Sequence, residues 1–162
     1  MGKARPIPPL PEAVLETFRT NDKITRFLVE SLDEKAWRAE PPTGKGRTVA
    51  AIVAHIHNVR HMWLTVSAKG VKCPPKVDRD KVTRAQALKA LERSGRVMAE
   101  FLGPALAGDG RIKNFPQGAA AFIAYAISHE AHHRGQIAML ARQAGFALPQ
   151  AVMFGMWEWG KL

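Results

Sequence analysis

The sequence predicts an all-α protein, a four-helix bundle with a short C-terminal helical segment. Three observations carry this. Long stretches of the chain repeat apolar residues at steps of three and four, which lines one face of a helix. Ser, Thr, Pro and Gly stand where such stretches begin and end, as helix caps require. Alternating apolar and polar runs bounded by hairpin turns, the mark of strands, are missing from the sequence. At 162 residues the chain has the size of one domain, 1–162, long enough to bury a core without disulfides.

The first helix is expected to open near Pro11 and to run to about Leu32, with Val14, Leu15, Phe18, Ile24, Phe27, Leu28 and Leu32 as its apolar stripe. Asn21 and Asp22 break that stripe and bring polar groups to the core face. Ser31-Leu32-Asp33-Glu34 has capping-box form and starts a short turn to Trp37, and Pro41 to Gly46 reads as a loop. Thr48 is the expected N-cap of the second helix, which carries Val49, Ile52, Val53, Ile56, Val59, Trp63 and Leu64 and stops at Gly70.

The second helix also carries His55, His57 and His61. On the helical wheel His55 and His57 flank the apolar stripe on opposite sides, each about 100° from its centre, so periodicity does not choose between them. The third helix opens with the capping box Thr83-Arg84-Ala85-Gln86, and its stripe of Leu88, Leu91, Gly95, Met98 and Leu102 contains no metal-ligating residue. Gly95 on that stripe predicts a close approach of a neighbouring helix.

The fourth and longest helix is expected from about Gln117 to Ala144, with Gly145 at its C′ position. Its stripe runs Phe122, Ala126, His129, His133, Ile137 and Leu140. Two imidazoles four apart among aliphatic side chains can place their nitrogens on one ion, which would offset the cost of burying them. Two core histidines satisfied by carbonyls are the simpler reading of the same pattern. His129, Glu130 and His133 also spell H-E-x-x-H, where the Glu of a zincin acts as general base toward an activated water. A last segment after Pro149, rich in Met, Phe and Trp, is expected to cover one end of the bundle as a short helix.

Bulk properties narrow the function classes. An apolar content of 46% with 23% charged residues describes a soluble globular protein with no membrane span. The residues Met1 to Pro11 have no apolar h-region, and Pro6 spoils a myristoylation pattern, so a cytoplasmic location is expected. A single cysteine, Cys73, excludes a disulfide framework and a thiolate-rich zinc site. The net charge of +10 would suit an anionic partner, but the basic residues are scattered in sequence, which favours a solvated surface over nucleic-acid binding.

The blocks Thr48 to Ile56 and His129-Glu130-Ala131-His132-His133-Arg134-Gly135-Gln136-Ile137, with Gly145 beyond them, resemble the DinB/YfiT-like family of four-helix-bundle metalloproteins. The turn Leu32 to Trp37 and the Pro-Gly loop after it resemble that family's first connection. The resemblance implies His55, His129 and His133 as ligands of a divalent ion, zinc or nickel, with an open coordination position, and it favours His55 over His57. It also implies a metal-dependent enzyme of thiol S-transferase or related small-molecule chemistry, a thiol co-substrate, and pairing as a homodimer.

In that reading Glu130 or His132 is the candidate catalytic base, and Gln136, Asn58 and Tyr125 are candidate orienting groups. Two other readings stand beside it. One is a zincin-like hydrolase through His129-Glu130-Ala131-His132-His133, for which Glu158 is the available downstream carboxylate and a substrate-binding strand is lacking. The other is a non-enzymatic, basic helical binding module in which the histidines are structural.

Overall fold

The computed structural model describes residues 7–161 of the chain. Residues 1–6, on which part of the expectation about a leader or lipid anchor rests, lie outside that range. The elements are α1 (Leu10–Glu30), a 3₁₀ helix (Glu34–Arg38), α2 (Val49–Ser67), α3 (Arg84–Ala107), α4 (Gly118–Gln143) and α5 (Gln150–Gly155). No strand occurs among the described residues, and no helix is long and apolar enough to cross a membrane.

The caps follow the local chemistry closely. Pro11 lies in the first turn of α1, where a missing N–H costs nothing. The Thr48 hydroxyl accepts from the Ala51 amide at 3.1 Å, and Thr83 and Gln86 form the reciprocal capping box that opens α3. Gly145 ends α4 at φ 87°, with its own amide on Arg142 O and the Phe146 amide on Ala141 O at 2.8 Å, the pairing of a Schellman motif. One cap differs from expectation: Asp33, not Ser31, caps the 3₁₀ helix by accepting from the Lys35 amide. Ser31 instead turns its hydroxyl back onto Phe27 O at the end of α1.

The core falls into two apolar halves. One holds Leu28, Val53, Ile56, Leu91 and Ile137, and the other holds Phe18, Leu64, Met98, Leu102 and Phe122. Between them Asn21, Asp22 and Thr25 of α1, Arg60 of α2, Ser94 of α3 and Glu130 of α4 are all buried and make a polar layer. Helices α1 and α4 pass from the Phe18 half to the Leu28 half, whereas α2 and α3 pass the other way. The topology is therefore up-down-down-up, and two consecutive parallel helices need a long return, which residues 68–83 supply. Helix α1 packs on α3 and α4, and α2 packs on the same two.

That return is tied down along α2. Asn58 donates to Val77 O and accepts from the Val77 amide, both at 3.0 Å, as a strand neighbour would. The His61 Nδ1 lies 2.7 Å from Pro74 O, and the His57 Nε2 lies 2.9 Å from Pro75 O. Trp37 closes the end of the segment by donating its indole N–H to Val82 O. The expected close approach at Gly95 is present: a Cβ there would lie 2.3 Å from Asp22 Oδ1, so α1 and α3 need glycine at this level.

Candidate metal centre

Helix α2 brings His55 and helix α4 brings His129 and His133 to one point beside the polar layer. Their Nε2 atoms converge, with 3.1 Å between His129 and His133 and 3.4 Å between His129 and His55. Three nitrogens at about 2.05 Å from a tetrahedral ion are separated by about 3.3 Å, so the observed spacing fits a common ligation sphere. Together they form a group with all ligand atoms within 4.8 Å of one another.

The electrostatics suit ligation. Burial, then the Arg47 charge and the two neighbouring imidazoles, lowers the His55 pKa to about 4. Burial likewise lowers His129 and His133. These shifts favour the neutral ring, which offers a lone pair, the form a metal needs. The His133 ring is further fixed by Nδ1, which donates to Gln136 Oε1 at 2.8 Å and leaves Nε2 as the acceptor. The Tyr125 ring stacks on His129 with centroids 6.0 Å apart, and its hydroxyl accepts from the Trp63 indole at 3.3 Å.

The remaining histidines separate cleanly from the cluster. His57 is fully buried, with Nδ1 3.1 Å from Ser94 Oγ and Nε2 on Pro75 O, so both of its nitrogens are in use. The wheel could not rank His55 against His57, and it is the return segment that decides. Asn58, expected near the site, faces Val77 for the same reason. His132 is exposed beside the His133 ring, with centroids 5.1 Å apart.

Glu130 is placed apart from the three histidines, inside the polar layer. Arg60 donates to it twice, Nε to Oε1 at 2.7 Å and Nη2 to Oε2 at 2.8 Å, and Asn21 Nδ2 donates to Oε2 at 2.8 Å. Arg60 also donates through Nη1 to Asp22 Oδ1 at 2.6 Å, and Arg134 donates to Asn21 Oδ1 and Thr25 Oγ1. Burial raises the Glu130 pKa, but Arg60, aided by Arg134 and Asn21, overcomes it and leaves the carboxyl below its usual value. The carboxylate is thus engaged by Arg60, Asn21 and Thr25, and Arg60 is the buried partner that the sequence did not announce. The stripe break at Asn21 and Asp22 was the one sign of it.

A cavity of about 420 Å³ opens beside His133, lined by Arg47, His132, Gln136 and Gln143 with Ile52 and Met139 as apolar wall. On another face, Arg19, Lys23, Arg26, Lys89, Arg93 and Arg96 of α1 and α3 border a groove together with Asp22, Glu92 and Glu100. Six of the 24 basic residues are thus gathered in space, with carboxylates among them and no aromatic side chain on which a base could stack.

Comparison with known proteins agrees with the helical-bundle fold. The sequence profile of the DinB superfamily matches residues 17–137, which contain all three histidines. No curated protein matches the chain significantly. The crystal structure of a DinB-like protein from Bacillus cereus ATCC 10987 has the same fold, with a TM-score of 0.69 and 22% identity, covering 85% of this chain and 95% of the other.

Proposed function

The chain belongs to the DinB superfamily, and from that premise and the convergence of three imidazole nitrogens we propose that it is a divalent-metal-dependent enzyme acting on a small molecule with a thiol co-substrate. The observation that carries the proposal is the convergence of the three rings, with His129 Nε2 at 3.1 and 3.4 Å from its two neighbours and burial favouring the neutral form of each. Three imidazoles suit zinc or nickel, and three protein ligands leave a coordination position open to a reactant. The chemistry such an ion supplies is Lewis-acid activation of a thiol or water, by lowering its pKa.

The chain's own residues supply the rest. Gln136 holds the His133 ring in its ligating tautomer, and Tyr125 supports His129. His132, exposed on the wall of the cavity beside His133, takes the role of base in this reading, because Glu130 is committed to Arg60. The same commitment argues against the zincin-like alternative. The exposed Phe154 and Trp157 of the C-terminal segment support assembly as a homodimer.

The test is metal analysis of protein purified without added metal or an affinity tag, with the variants His55→Ala, His129→Ala and His133→Ala. One ion per wild-type chain and its loss in each variant are expected. Zinc or nickel at a hundredfold excess over Kd should also stabilise the wild type by about 2.7 kcal/mol, and His133→Ala not at all. No ion bound at micromolar concentration would return the histidines to a purely structural role.

A further inference from the structure

The cavity beside His133 is cationic and has nothing on its walls to balance the charge. Arg47 lines it, and among the described residues the Arg47 guanidinium has no hydrogen-bond or ion-pair partner. No acidic side chain borders the cavity, whose polar wall is Arg47, His132, His133, Gln136 and Gln143. The three histidines are neutral ligands, so a divalent ion held by them would keep its full charge a short distance away. Arg47 is an exposed residue on the rim of the cavity, close enough for its charge to be felt at all three rings. Pro41, Ile52, Met139 and Leu140 complete the lining with apolar surface.

We propose that this cavity recognises a carboxylate-bearing small molecule, with Arg47 pairing its carboxylate while a second donor group of the same molecule reaches the three-histidine centre. The inference rests on the metal-binding reading above and adds the class of ligand. A guanidinium offers two parallel donors that match a carboxylate, and no carboxylate among the described residues already occupies this one. The single cation, with no second one on the cavity wall, suits a monoanion better than a phosphate dianion. The apolar wall then takes the carbon skeleton between the two polar ends.

The experiment uses protein loaded with cobalt(II), whose visible spectrum reports ligands joining the histidines. Wild type and Arg47→Met are titrated with 3-mercaptopropionate and with its uncharged amide, 3-mercaptopropionamide, and inorganic phosphate is added as competitor. Wild type is expected to bind the acid on the order of tenfold more tightly than the amide, as one charge-assisted pair allows. Arg47→Met should bind the two alike while keeping its cobalt. Equal affinity for acid and amide in wild type, or a preference that survives in Arg47→Met, overturns the carboxylate assignment and leaves the metal centre standing. Phosphate that competes as well as the acid overturns it too. Failure to bind cobalt at all overturns the metal reading itself, and this inference with it.

Discussion

Arg60 and Glu130 meet across the middle of the bundle in a bidentate pair, with N–H···O distances of 2.7 and 2.8 Å and both side chains buried. Arg60 lies five residues beyond His55 on α2, and Glu130 follows His129 on α4. The pair therefore fixes the rotation and register of the two helices that carry the candidate ligands. Two parallel bonds at right distance tolerate little sliding of one helix past the other.

Removing one partner of a buried pair leaves the other charge uncompensated, at a cost of about 3–5 kcal/mol. In Glu130→Gln, Arg60 keeps Asp22 as its carboxylate partner and Arg134 keeps its bonds to Asn21 and Thr25, so the loss lies toward the lower end of that range. Its thermal midpoint is expected to fall by on the order of 10 °C for a chain of this size. Calorimetry at pH 7 checks the loss. A variant as stable as the wild type would show that Glu130 contributes nothing to the bundle and would reopen its role as a base.

The same carboxyl makes a prediction about acid. Its pKa lies below the usual 4.5 in the folded state, so the folded form holds the charge more firmly than the unfolded chain does. That stabilisation is complete above pH 4.5 and is lost as the pH falls toward the lower folded value. Glu130→Gln lacks it at every pH. The gap in melting temperature between the two proteins should therefore be wide at neutral pH and narrow below pH 4.5, and a gap that stays constant would count against the ion pair.

His55 and His57 should behave oppositely on substitution. His57→Ala removes the bond to Pro75 O and the contact with Ser94, which at about 1–3 kcal/mol lowers stability and loosens the return segment. Amide exchange at Val77, now protected by Asn58, should quicken, while metal stoichiometry stays at the wild-type value. His55→Ala should lose metal and leave Val77 exchange unchanged. Equal metal loss in both variants would mean that His57 moves into the centre when an ion arrives.

How much of this was legible in the sequence follows from the range of each interaction. Caps, the Schellman end at Gly145 and the His129/His133 pair are set within one or two turns, and periodicity reads them directly. Arg60 and Glu130 stand 70 residues apart, and nothing local in either helix announces the other. Asn21 and Asp22 showed a break in the stripe but not what filled it. The up-down-down-up topology was hidden for the same reason, because it depends on where residues 68–83 attach. The basic groove was read as scattered charge, although Arg19, Lys23 and Arg26 on α1, and Lys89, Arg93 and Arg96 on α3, each repeat at helical spacing.

Gln136 offers the sharpest test of how the centre is tuned. Its Oε1 accepts from His133 Nδ1 at 2.8 Å, and an amide oxygen can only accept, so the proton sits on Nδ1 and the lone pair on Nε2. Without this bond the ring turns more freely and spends part of its time in the tautomer that cannot ligate. Gln136→Ala should weaken metal affinity by roughly 10–100-fold, the usual effect of losing such a support, with one ion still bound at saturation. Gln136→Glu keeps the acceptor and adds charge, making His133 a stronger donor, and should restore or tighten binding. Competition with a chelator of known affinity measures all three proteins. If alanine and glutamate variants bind alike, the hydrogen bond has no part in holding the ligand, and the tuning must come from burial alone.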